Sequence, residues 1–172
     1  MSPYEWLETL AGCACAALEE SVLGAPELVE YGNMVTAISS GRCSALYVNG
    51  GAIFSADGDR WPNRVDPARS VITSIGKICQ IVPTMPATLT YVHCVPTVTQ
   101  SGLPSNESKN ASAEDLWATA WTVWEGFTCC LPAMVRTQGR VTRESLTPLA
   151  PQGGLSGFTI GFTVALTNCP DC

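Results

Sequence analysis

Apolar residues fall on every second position from Phe158 to Leu166: Phe158, Ile160, Phe162, Val164 and Leu166 alternate with Thr159, Gly161, Thr163 and Ala165. A period of two is the signature of a strand with one buried face, which predicts a strand over 157–167. The stretch "ATLTYVHCVPTVT", residues 87–99, carries the same period, with Leu89, Tyr91, His93 and Val95 on one face. Pro96 marks the end of pairing there, or an edge. "CSALYVNGGAIFSADGDRWP" reads as strand, turn, strand: Leu46 and Val48 alternate with Ala45 and Tyr47, Asn49-Gly50 is a two-residue hairpin signal, and Asp57-Gly58 offers another turn. A further strand is predicted over 134–147.

Two segments change period. Over residues 4–23, Trp6, Leu7, Leu10, Ala14, Ala17 and Leu18 follow i, i+3, i+4 spacing, with glutamates mostly on the other side. Ser2 is a plausible N-cap, Pro3 suits the first turn, and Gly24 and Pro26 end the helix. A second helix is predicted from about Ala113 to Cys130, capped by Ser112 and ended by Pro132, after a polar loop "QSGLPSNESKNASAED". Leu116, Ala120, Val123 and Phe127 form one stripe of it, and Trp117, Trp121 and Trp124 its neighbour. Helix, strands, helix, strands make a single α+β domain over 1–172: a mostly antiparallel sheet flanked by an N-terminal helix and a second long helix.

One segment sits oddly in this scheme. "PLAPQGG", just before the last strand, is a Pro and Gly loop without a charge, although loops usually run over the surface and are polar. Either it is tucked over its own sheet or it meets another protein.

Composition narrows the function. Charged residues are 14% of the chain, against roughly a quarter in an ordinary soluble domain. Much of the surface is therefore neutral or covered by partners. The net charge is −6 and the nine Lys and Arg are scattered, only Arg136, Arg140 and Arg143 lying near one another, so there is no basic stripe to grip DNA. The windows 78–106 and 145–170 lack charge, but their prolines and glycines would leave backbone groups unpaired in lipid. No secretory signal is apparent, so the chain reads as soluble and cytosolic when made, with Asn106 and Asn110 unglycosylated.

Motifs of catalysis are incomplete. Gly154-Leu-Ser156-Gly-Phe158 fails as a nucleophile elbow at its last position, and Gly76-Lys77 lacks a phosphate loop around it. Asp57, Asp59 and Asn63 echo a calcium loop that has Pro62 where glycine is needed. His93, the single histidine, reads as a packed imidazole with one hydrogen bond, with a Cys–His dyad as the sharper alternative. The nine cysteines are an odd count, which speaks against a complete disulfide framework in a cytosolic chain. Cys13 and Cys15 point about 200° apart on a helix, and Cys169-Pro-Asp-Cys172 ends the chain. Buried or inert thiols are the plainest reading, beside an incidental disulfide, zinc or redox catalysis. No cofactor or metal is expected. The tryptophans read as core or protein interface rather than a stacking platform for bases or sugars.

"LTPLAPQGGLSGFTIGFTVAL" resembles the closing segment of tail terminator proteins of long-tailed phages infecting actinobacteria, in which a "GPQGG"-like loop precedes a final hydrophobic strand. Here Leu149-Ala150 stands where Gly is common. The rest resembles that family in order: an N-terminal helix with "CACAAL", a "YVNGG" strand and turn, "LTYVHCV", a long helix "AEDLWATAWTVWEGFTCCL", and a Cys-rich end "NCPDC". The resemblance implies a structural, non-enzymatic virion protein at the tail-neck junction, assembled in the bacterial cytoplasm. It would form a homohexameric ring that caps the tail tube, stops its polymerisation and meets the head-tail connector or stopper. Genomic DNA would pass without specific binding; six copies at −6 carry about −36, which repels DNA. A closed ring needs two different patches per subunit, and the resemblance implies that Pro151, Gln152, Gly153, Gly154 and Leu155 belong to one. Another neck protein, a small thiol-dependent enzyme and a zinc-stapled module are the alternatives.

Overall fold

A computed structural model of the chain describes residues 2–32, 42–57, 61–64, 81–97, 102–138 and 140–166, with side chains of the last helical turns beyond Leu131 left aside. The elements are α1 (Pro3–Glu19), β1 (Val29–Tyr31), β2 (Ser44–Gly50), β3 (Phe54–Asp57), β4 (Ile81–Cys94), α2 (Asn106–Gln138), β5 (Val141–Gln152) and β6 (Leu155–Ala165). The α+β arrangement follows: a six-stranded sheet in the order β1-β2-β4-β6-β5, with β3 also on β4, antiparallel except for β1 beside β2.

Side-chain alternation builds the core row by row. Leu46, Tyr91 and Phe158 lie side by side across β2, β4 and β6, as do Val48, Leu89 and Ile160, and all are essentially inaccessible to water. Both helices contribute to this one apolar cluster: α1 through Trp6, Leu10, Ala14 and Leu18, α2 through Ala120, Val123, Phe127 and Leu131. The buried stripe of α2 is thus the one expected from its spacing. On the opposite face of the sheet, Thr90 and Thr159 approach to 3.2 Å between hydroxyls.

Four expectations about elements are corrected. Asn49-Gly50 does not turn a hairpin. β2 and β3 both run antiparallel to β4, pairing with 87–93 and 81–84 respectively, so they are one strand line with a break at 51–53. The break answers Pro86, which has no N–H for the ladder and accepts instead from Gly51 N at 2.7 Å. A side chain at Gly51 would meet the Pro86 ring at 2.7 Å.

The second helix starts at Asn106, within the stretch read as a polar loop, because Ser105 caps it: the Ser105 hydroxyl accepts from Ser108 N at 3.1 Å. It also continues through Pro132, at the loss of one backbone bond. Residues 134–138 are accordingly helical, and the strand predicted over 134–147 is β5, which begins at Val141. At the N-terminus, Ser2 and Glu5 complete a capping box, which holds the Glu5 carboxyl below its usual range through bonds to Ser2.

Cysteines pair more than expected. Cys13–Cys130 joins α1 to α2 with Cα atoms 6.0 Å apart, and Cys43–Cys94 staples the start of β2 to the end of β4 at 4.8 Å. The physical reason is proximity that spacing cannot show: residues 117 apart in sequence meet where two helices cross. Cys13 and Cys15 do point apart, the first buried and bridged, the second a half-buried thiol. Cys79, Cys169 and Cys172 lie outside the described residues, as do Gly58, Asp59, Gly76 and Lys77.

Candidate functional site

The segment read as a long apolar loop is a tight hairpin. β5 runs to Gln152, Gly153 and Gly154 form the turn with φ of +58° and +87°, and β6 starts at Leu155, paired back to Gln152. Two consecutive positive φ values match the right-handed twist of the flanking strands and come free only to glycine. The loop at 148–157 is therefore corrected to strand, two-residue turn, strand. Pro151, Gln152 and Gly153 are exposed at the tip; Gly154 and Leu155 are half-buried.

The turn is held from one side. Val95 N donates to the Gly154 carbonyl at 2.8 Å, and a side chain at Gly154 would meet Thr97 Cγ2 at 2.8 Å, whereas one at Gly153 would enter open space. Ser156 donates its hydroxyl to the Leu149 carbonyl across the hairpin at 2.9 Å. At the neighbouring register position, an added Cβ on Gly157 would fall 1.9 Å from the Tyr91 carbonyl oxygen, so this position admits glycine alone.

Beside the hairpin lies a groove of about 560 Å³. One wall is the first half of α2, through Leu116 and Trp117; the other is the end of β5, through Pro148, Leu149 and Pro151. Val95 and Pro96, the segment bound to the turn, close one end. The lining is apolar apart from Ser112, Ser156 and one charged side chain, Lys109.

Trp117 is 52% exposed at the groove, and Trp121, one helical turn on, is 55% exposed beside it. Of the tryptophan stripe only Trp124 is covered: the Arg143 guanidinium of β5 lies 4.5 Å over its ring and donates to its carbonyl. An open Trp pair is unusual because aromatic rings carry the largest apolar area of any side chain.

Of the expected interface residues, Pro151 lines the groove, while Gln152, Gly153, Gly154 and Leu155 make up the adjoining turn and are not part of its lining. Sequence reasoning did not find the groove itself. Its walls come from three stretches far apart in the chain, and the only local signal was the tryptophan spacing.

Of the other candidate groups, His93, Cys94 and Cys15 lie among the described residues. The His93 ring stacks on Tyr91 with centroids 6.3 Å apart, and its Nδ1 lies 2.8 Å from the Cys94 carbonyl oxygen, so that contact carries a proton on Nδ1. This is the packed imidazole with one hydrogen bond. Its cysteine neighbour Cys94 is bridged to Cys43. The Cys15 thiol is pushed up by burial and by Glu19, the reverse of what a nucleophilic thiolate requires. Among the described residues, no cluster of three or more His, Cys, Asp or Glu has metal-binding geometry, and no helix is long and apolar enough to cross a membrane.

No protein-family model matches the chain, and no curated protein is significantly similar to it.

Proposed function

We propose that this chain is a structural subunit of a long-tailed phage virion, a tail terminator that closes into a hexameric ring on the end of the tail tube. The observation that carries the reading is the open apolar surface made by Trp117 and Trp121 beside the groove under the β5–β6 hairpin. A chain with so few charges that leaves two tryptophans in water fits a subunit whose surface is covered on assembly. The hairpin tip from Pro151 to Leu155 adjoins the same groove, as a paired strand–turn–strand rather than an irregular loop.

In this role the protein stops tube growth by offering the tube a surface on one side and the head-tail connector another. The work is done by association, with no bond made or broken. The net charge of −6 per subunit keeps the ring from holding DNA that passes through it.

Native mass spectrometry of the purified chain, with and without tail tube protein, tests the proposal. A hexamer, alone or on tube ends, supports it. A monomer that ignores the tube refutes it and points to another neck protein, a stopper or adaptor.

A further inference from the structure

The groove implies a complementary patch, and the opposite edge of the sheet carries one. Tyr31, on the edge strand β1, sits in register with Val48 and therefore on the helix side of the sheet. Its ring is 5.5 Å from that of Tyr4 on α1, and the two are 39% and 52% exposed. The groove also lies on the helix side, between α2 and the other edge strand, β5. One apolar cleft and one pair of projecting aromatic rings thus stand at opposite ends of the strand order, on the same side of the sheet.

Each patch has a charge of opposite sign at its edge, Glu8 beside the tyrosines and Lys109 in the groove, the latter on a helix that also bears Glu107, Glu114 and Asp115. Residues 1–41 contain six Glu and no Lys or Arg. Glu8 is exposed on α1 and close enough to Tyr31 to help burial and Tyr4 push its phenol up. The one charged side chain lining the groove is Lys109.

We propose that the occupant of the groove is a second copy of this chain: Tyr4 and Tyr31 of one subunit pack against Leu116, Trp117 and Pro148 of the next, with Glu8 facing Lys109. This rests on the ring reading above and deepens it by naming both halves of the contact. A head-to-tail contact of this kind uses two different patches, so it propagates from subunit to subunit and closes into a ring if the rotation allows. Aromatic rings seated in an apolar cleft with a charged pair at the rim are the usual anatomy of a specific interface.

The test places the photo-crosslinking residue benzoylphenylalanine at position 4 of the full chain, alone and on tail tube ends. The crosslinked peptides are then mapped. Intersubunit links to residues 109–117 or 148–151 are expected. Links to any other surface, in particles that still form rings, overturn the groove contact and leave the ring reading standing. A chain that forms no oligomer under either condition overturns both.

Two exposed-site variants give a second readout that does not depend on the probe. Y4S/Y31S damages one patch and W117S the other, and each alone should lower ring yield by roughly tenfold or more. Wild-type ring yield from both variants, with unchanged melting temperatures, would also overturn the contact.

Discussion

Val95 donates its backbone N–H to the carbonyl of Gly154, 2.8 Å away, and so ties the chain leaving β4 to the tip of the β5–β6 hairpin. The bond ties the segment that closes the groove's end to the hairpin that forms one of its walls. It also sets different tolerances at the two glycines of the turn.

Gly153 faces open space at φ +58°, and asparagine visits that conformation with little penalty. Gly153→Asn should therefore change stability by less than about 0.5 kcal/mol. Gly154→Val meets both a positive φ and Thr97, and should lose about 2–4 kcal/mol. Thermal melts of the two variants check this contrast. A bulky residue at Gly154 is accordingly a poor probe of assembly, because it strains the hairpin itself.

Gly157 is under a stricter constraint. Even a methyl group would overlap the Tyr91 carbonyl, and neither strand can withdraw without breaking the central β4–β6 ladder. Gly157→Ala is expected to cost at least about 3 kcal/mol, read as a large fall in melting temperature or loss of soluble protein.

The disulfide between Cys13 and Cys130 closes a loop of more than a hundred residues between α1 and α2. Replacing both cysteines by alanine should cost about 2–4 kcal/mol in oxidised protein, a difference that should largely disappear under reducing conditions, where wild type has no cross-link either. Peptide mapping without reductant should recover the Cys13–Cys130 and Cys43–Cys94 links in protein kept under oxidising conditions.

Tyr91 supplies a test through pH. Burial pushes its phenol up from 10 to about 12. Between these values the unfolded chain gives up the proton and the folded one keeps it, so stability is full below pH 10 and falls as pH rises toward 12. The slope from this group is at most about 1.4 kcal/mol per pH unit. Denaturant midpoints of wild type and Tyr91→Phe, followed from pH 9 to 11.5, should diverge, with the variant showing the flatter alkaline decline.

What the sequence determined by itself was local. The alternation around Phe158–Leu166 and Leu89–His93 specified strands and the faces they bury, because a period of two admits only one side to the core. Ser2 and Pro3 marked the start of α1, to which the structure adds Glu5 as partner in the capping box. The α2 stripe of Ala120, Val123 and Phe127 specified its buried side.

What only the tertiary structure decided were matters of which segments meet. Asn49-Gly50 carries a hairpin signal, yet β4 pairs with both flanking strands in one line and overrides it. α2 starts after Ser105 rather than Ser112, and its added turns bring Lys109 to the groove. The two disulfides join residues 51 and 117 positions apart, and the groove joins three distant segments. Such contacts depend on the order of strands in the sheet, and no local period encodes that order.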